Sequence, residues 1–282
     1  MGRVGVIVDS GADLPDDLAH DAAIAVVPLS IRFGEDEFLD RVTLSLEDFW
    51  RRASISPQPP QTAAPSPGAF QEAISTQRDG GAESVVIVTL SRLLSASFQS
   101  AMVAAEDFRG KLDVRVLDSE TATMGQGLIA LSMARAAREG ADIATVLEVG
   151  QSALRRAGVI GMLDSLDQLV KGGRIGGARA LVGNILSIKP LLSVRGGVVC
   201  EAGRQRTPAR ALTAIVDEVC RHQPLESLCV VHTKSNLRDR LSALLLARGI
   251  EIPILHAAVG PTIGAHSGPG LIGVAWLGST PS

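Results

Sequence analysis

The chain has 282 residues, 46% apolar and 20% charged, with a formal net charge of −3 and a pI near 6.0. That length allows one large domain or two ordinary ones with a full core. The charge gives no electrostatic footprint for nucleic acid, so no nucleic-acid partner is expected. No apolar run approaches the roughly 18 residues of a membrane span, so no transmembrane segment is expected. The opening MGRVGVIVDSG carries Asp9 where a secretory leader needs a long apolar stretch. Cys200, Cys220 and Cys229 are odd in number and form no C-x-x-C, which argues against a disulfide framework or a zinc site. A reducing cytoplasm fits.

Val4–Val8 reads as a short buried strand ended by Asp9-Ser10-Gly11, and a helix follows from about Pro15 with Asp13 placed to cap it. Ile24–Phe33 reads as a second strand with a bend at Pro28, and Leu46–Ala53 as a short helix. Ser54–Pro67 is proline-rich and reads as a loop. Pro67 then opens a helix to about Arg78. Ser84–Leu90 is a continuous apolar strand, the pattern of a strand buried on both faces. Helical spacing follows in LLSASFQSAMVAAEDF, then a strand at Val114–Leu117 and helices at Gly125–Arg138 and Ile143–Ala157. Strands alternating with helices imply a doubly wound, mostly parallel α/β sheet.

Leu163–Leu192 opens as an amphipathic helix, breaks at Gly172-Gly173 and resumes after Gly177, with Arg174 in the glycine-rich gap. This break is expected to be the crossing between an N-terminal domain, residues 1–160, and a smaller mixed α/β domain, residues 161–282. In the second part Leu191–Glu201 reads as a hairpin about Gly196-Gly197. Pro208–Cys220 and Asn236–Arg248 read as helices, and Ser227–His232, Glu251–Ala257 and Leu271–Leu277 as strands. The segment VGPTIGAHSGPG, rich in glycine and proline, reads as irregular backbone displaying His266.

Ligands of open α/β sheets sit beyond the carboxyl ends of the strands. Asp9-Ser10, Ser91, Ser95 and Asp118-Ser119 all fall there. They could meet an anion, or simply cap helices, since Ser and Asp are the preferred capping residues. Thr62 lies in the proline-rich segment, where a solvated turn threonine is the plain alternative. The other histidines, His20, His222, His232 and His256, show no metal-ligand spacing. G-x-x-x-x-G-K-[ST], G-x-G-x-x-G and G-x-S-x-G are all absent. The residues alone thus lead to a two-domain α/β protein with a polar crevice and no self-contained catalytic motif.

Seven segments in order carry a resemblance to a family. They are DSGADLP (Asp9–Pro15), QTAAPSPGAF (Gln61–Phe70), LSRLLSASFQSA (Leu90–Ala101), DSETATMGQG (Asp118–Gly127), LDQLVKGGRI, LSIKPLL and GPTIGAHSGPG. Together they resemble the DegV proteins, the bacterial fatty-acid-binding group that includes the binding subunit of fatty acid kinase. The resemblance implies a long-chain fatty acid buried between two domains, with no other cofactor. It implies that Thr62 and Ser95 bind the carboxylate, with His266 and Arg174 near the head group. It further implies a non-catalytic chain that presents its ligand to a separate kinase subunit for acyl-phosphate formation in phospholipid synthesis. The sequence departs from the family pattern at Ala63-Ala64 and at Ala96, Ser97 and Phe98, but keeps both hydroxyls. Arg204, Arg206 and Arg210 form a basic cluster suited to an acidic partner. The competing expectation is a stand-alone enzyme, either a hydrolase pairing Ser95 with His266 or one acting on a small phosphorylated metabolite.

Overall fold

The computed structural model describes residues 2–181, 188–233 and 236–280. β1 (Val4–Asp9) is buried at every position, as its unbroken apolar run requires. A 3-10 turn and α1 (Asp16–Asp21) lead to β2 (Ile24–Val27). Pro28 then ends the strand, because it has no N–H to donate to a ladder. The expected second strand is therefore two. β3 (Ser30–Phe33) leaves the first sheet and forms a small antiparallel one with β4 (Asp36–Leu39) and β5 (Gln61–Ala63). Between those two runs α2 (Leu46–Ile55), capped by Ser45. The proline-rich segment thus contains a strand where a loop was expected, and its prolines lie outside the three paired residues.

α3 (Pro67–Asp79), β6 (Ser84–Thr89), α4 (Ser97–Glu106), β7 (Asp113–Asp118), α5 (Met124–Arg138) and α6 (Ile143–Arg156) complete the first half. The first sheet has the order β2-β1-β6-β7 and is parallel throughout. Helices cover both faces. Phe70, Ile74, Ala101 and Ala104 of α3 and α4 pack on Ile7, Val85 and Ile87. Met124, Leu128 and Val146 of α5 and α6 share a core with Val6, Val8, Val86 and Val88.

β8 (Ala157–Met162) follows α6 directly. No local pattern marks this strand: AGVIGM is short, glycine-interrupted and fused to the end of a helix. Beyond it lie α7 (Asp167–Lys171), β9 (Lys189–Arg195), β10 (Val198–Gln205), α8 (Pro208–Cys220), β11 (Leu225–His232), α9 (Arg238–Ala247), β12 (Ile254–Ala258), α10 (Pro261–Ser267) and β13 (Ile272–Gly278). The second sheet runs β10-β9-β8-β13-β11-β12, with only the β11–β12 pair parallel. It is the wider of the two large sheets. Its outer face packs on α8 and α9 through Ile215, Val219, Leu241 and Leu245.

The polypeptide passes from first sheet to second at the α6–β8 junction, and residue 160 lies inside β8. Gly172–Gly177 is therefore not the crossing. It lies within the second unit, after β8 has already paired with β13 and β9. The helix expected from Leu163 is confined to the five residues of α7. A 3-10 turn, Gly176–Leu181, begins at the second glycine pair. The remainder of the expected second helical piece, residues 182–187, lies outside the described residues.

α5 sits between the two large sheets. Its residues Met124–Ala130 are all buried, and the core it shares with β1 and β6 continues into Val159, Cys229, Val231, Ala275 and Leu277 of the second sheet. A helix buried all round must be apolar or small on every face, and MGQGLIALSM meets that demand except at Gln126, whose side-chain amide donates to Asp9 and to the Val88 carbonyl. Leu128, only 1% exposed, fills the space between the sheets. Leu128→Ala is expected to lower the free energy of unfolding by about 2–5 kcal/mol in urea titration; a loss below about 1 kcal/mol would show that the layers do not depend on this helix.

Candidate functional site

A cavity of about 360 Å³ lies between the carboxyl ends of the first sheet and the inner face of the second. Its apolar wall comes from both halves of the chain. Leu29, Leu90, Leu94 and Ala122 follow strands of the first half. Val159 and Gly161 alternate along β8 and Leu163 follows it, Leu192 and Val194 contribute from β9, and Val231 and Val259 extend the wall. The volume lies within the range of sites that enclose small organic ligands.

Thr62, Ser95, Arg174 and His266 all line this one cavity. Thr62 is held by β5, where Ile31 of β3 is its register partner. His266 lies in the last turn of α10, so the expectation of irregular backbone there is corrected. Pro261 takes the first helical position, where its missing N–H costs nothing. The partners that cap this helix come from far upstream, which no local reading could supply. Ala265, behind the histidine, packs with Phe49 and Trp50 of α2.

The side chain of Thr62 is hydrogen-bonded to His266 Nε2 at 2.9 Å. Burial and the neighbouring Arg174 charge push the His266 pKa down to about 4, so near neutral pH its imidazole is uncharged. Gly172 presses against the other side of the ring: a Cβ there would lie 2.3 Å from Nδ1. Arg174 donates from Nε to the Leu94 carbonyl at 3.2 Å and from Nη1 to the Gly172 carbonyl at 2.6 Å. These bonds fix the guanidinium at the cavity wall.

Ser95 precedes α4. Its hydroxyl accepts from the Ser97 N–H at 3.2 Å and lies 3.0 Å from the Ser97 hydroxyl. Ser97 is fully buried. Among the described residues no hydrogen bond joins Ser95 to His266, whose Nε2 is engaged by Thr62. The nucleophile–base pair required by the hydrolase expectation is therefore not assembled.

The other strand-end residues fasten loops. Asp9 is fully buried. Its carboxylate accepts from the Leu90 and Gly11 N–H groups and from the Gln126 side chain, at 2.8, 3.0 and 3.2 Å. Burial raises its pKa to about 6 against those bonds. Ser91 donates to the Gly197 carbonyl at 2.7 Å, tying the start of the Ser95 loop to the β9–β10 turn. Asp118 accepts from the Arg92 and Glu120 N–H groups.

Asp13 does not cap α1. Its side chain is buried, its φ is 50°, and it accepts from the Gly260 N–H at 2.8 Å. Burial raises its pKa to about 7. Asp40 stands in no motif, and Thr262, inside GPTIGAHSGPG, is marked by no local spacing, so neither is legible from the sequence as part of this site.

Arg204, Arg206 and Arg210 are exposed and lie outside the cavity wall. Arg204 pairs with Glu201 at 2.7 Å. Among the described residues there is no cluster of three or more His, Cys, Asp or Glu able to hold a metal ion, and no helix is long and apolar enough to cross a membrane.

Relatives share this architecture from end to end. A DegV domain-containing protein of Listeria monocytogenes is 30% identical, over 97% of this chain and 98% of its own. One from Mycobacterium tuberculosis is 33% identical, over 96% of both chains. Among solved structures, a fatty-acid-binding DegV family protein from Thermus thermophilus superposes with a TM-score of 0.91 at 28% identity, over 98% of this chain and 100% of the other. A DegV lipid-binding protein from Thermotoga maritima gives 0.88 at 25%, over 98% of each. A DegV family protein from Ruminococcus gnavus, solved with vaccenic acid, gives 0.86 at 25%, over 96% of this chain and 99% of the other. The sequence model described as "Uncharacterised protein, DegV family" matches residues 3–279, nearly the whole chain that builds both sheets and the cavity, and the protein belongs to the DegV family.

Proposed function

We propose that this protein binds a long-chain fatty acid, with the carboxylate at Thr62 and Ser95 and the acyl chain in the apolar cavity. The supporting observation is the asymmetry of the cavity. Its wall is mostly aliphatic, and several hydroxyls, Thr62 and Ser95 among them, an uncharged imidazole and a guanidinium line the same space. The fatty-acid-binding relatives from Thermus thermophilus and Ruminococcus gnavus support the same ligand class. In this reading the two large sheets belong to two domains, with the ligand between them.

The energetics are consistent. Burying the tail of palmitate gains on the order of 10 kcal/mol gross, at ~0.8 kcal/mol per methylene. The carboxylate cannot follow it bare and needs donors. In the Nε2–H tautomer, neutral His266 donates to Thr62 Oγ1 and leaves the Thr62 hydroxyl hydrogen free for the ligand. Ser95 supplies a second hydroxyl, and Arg174 the fixed positive charge.

The chain is then a carrier acting in the cytoplasm. A separate kinase would bring ATP and convert the presented carboxylate to an acyl phosphate for phospholipid synthesis. Arg174 and His266 would stabilise the charge added in that step. Arg206 and Arg210, exposed beside the Arg204–Glu201 pair, are the proposed docking side chains.

Three measurements test this reading. Native mass spectrometry of the purified protein is expected to show bound fatty acid, and delipidated protein should take up palmitate or oleate. Ser95→Ala should weaken that uptake by about 1.5–3 kcal/mol, the value of a hydrogen bond to a charged group. Absence of lipid together with no uptake would refute the proposal. Arg174→Ala should spare fatty-acid binding more than it spares phosphorylation by a partner kinase; equal losses would make Arg174 structural.

Gly161 tests where the acyl chain runs. A Cβ at Gly161 would meet nothing nearer than the Ile272 carbonyl oxygen at 3.4 Å, on the strand face shared with Val159 and Leu163. Gly161→Leu should thus fill cavity space and move the binding preference toward shorter acyl chains. An unchanged chain-length profile would place the tail elsewhere.

A further inference from the structure

We infer that Asp40 is the positioning residue of the head-group site, anchoring α10 so that His266 meets Thr62. The inference rests on the head-group reading above. α10 has seven residues, and its N-cap is Gly260, which offers no side chain. The first N–H groups of a helix need acceptors when buried. Here two carboxylates from the first half of the chain supply them. Asp13 Oδ1 accepts from the Gly260 N–H at 2.8 Å, and Asp40 Oδ2 from the Thr262 N–H at 3.3 Å.

Asp40 does more than cap. The Thr262 hydroxyl donates to the same Oδ2, and so does the Ser10 hydroxyl at 2.8 Å. Asp40 is 2% exposed and Thr262 likewise, so these bonds are made away from water, where losing one acceptor leaves buried donors unpaired. Thr262 and His266 stand four residues apart, hence on one face of the helix. Both line the cavity, whereas Asp40 does not. Asp40 thus acts on the ligand through the groups it holds, α10 above all.

The origin of Asp40 gives the arrangement its meaning. It directly follows β4, and its own N–H donates to the Leu29 carbonyl at 2.9 Å. β4 pairs with β3, and β3 pairs with β5, which carries Thr62. The small three-stranded sheet therefore holds one head-group residue itself and, through Asp40, holds the helix that carries the other. The Thr62–His266 bond closes this loop of contacts between distant parts of the chain.

The test separates positioning from bulk stability by comparing two ligands with the same tail. Affinities of delipidated protein for hexadecanoate and hexadecan-1-ol are measured by fluorescence displacement. The wild type should prefer the acid. Asp40→Ala should lower affinity for the acid by on the order of tenfold, about one hydrogen bond's worth, while affinity for the alcohol stays within about twofold. Asp40→Asn, which keeps an acceptor for Thr262, should fall between wild type and Asp40→Ala. If Asp40→Ala does not fold, Asp40→Asn alone carries the test, with a smaller loss expected for the acid and the alcohol again within about twofold. Equal losses for acid and alcohol, or no loss for either, would overturn the inference. A wild type that binds acid and alcohol equally would instead overturn the head-group reading itself.

Discussion

A carboxylate buried at the end of a strand has to be surrounded by donors, and in this protein that requirement organises the whole polar edge of the first sheet. Asp9 gathers the Leu90 N–H, the Gly11 N–H and the Gln126 side chain. It thereby ties together the ends of β1 and β6 and the first turn of α5. The loop leaving β6 continues from Leu90 through Ser91, whose hydroxyl reaches Gly197 in the second unit, to Ser95 at the cavity. Asp13 and Asp40 impose the same demand on α10. The burial that pushes all three carboxyls upward in pKa is the cost of these contacts. What they supply is a set of loops held in one arrangement around an otherwise apolar space.

That arrangement divides the labour within the cavity. Aliphatic side chains from β8, β9 and the strand ends of the first sheet would, in the proposed reading, remove an acyl tail from water without directing it. Direction comes from the polar end. A buried imidazolium beside Arg174 would place two positive charges together in a poorly solvated site, and the depressed His266 pKa expresses the cost of doing so. The ring therefore serves as a neutral hydrogen-bonding partner of Thr62 while Arg174 holds the charge. Gly172 allows this geometry by leaving room for the ring, and its carbonyl also holds the guanidinium.

Much of the fold was legible in the residues. The apolar runs of β1 and β6, the helical spacing of α5 and α6, and the Gly196-Gly197 hairpin all follow from side-chain periodicity and turn chemistry, which act over a few residues. β8 was not legible, because six residues containing two glycines at the end of a helix carry almost no period. In the sequence Pro28 reads as a bend within one strand. Whether the chain resumes in the same sheet after such a bend depends on which strands wait beside it, and β4 and β5 are contributed by later sequence.

The sequence by itself determined the α/β class and the lack of a self-contained catalytic motif, which depend on residue type and order, and its family resemblance singled out Thr62, Ser95, His266 and Arg174, four of the residues that line the cavity. Tertiary structure alone decided how they meet. Thr62 and His266 are 204 positions apart and share a hydrogen bond. α10 is a helix because Asp13 and Asp40, more than 200 residues upstream, satisfy its buried N–H groups. Neither carboxylate is marked locally as a partner of this helix, and a segment of glycine and proline reads locally as loop. A long-range contact leaves no local period, so its partners become visible only once the chain has folded them together.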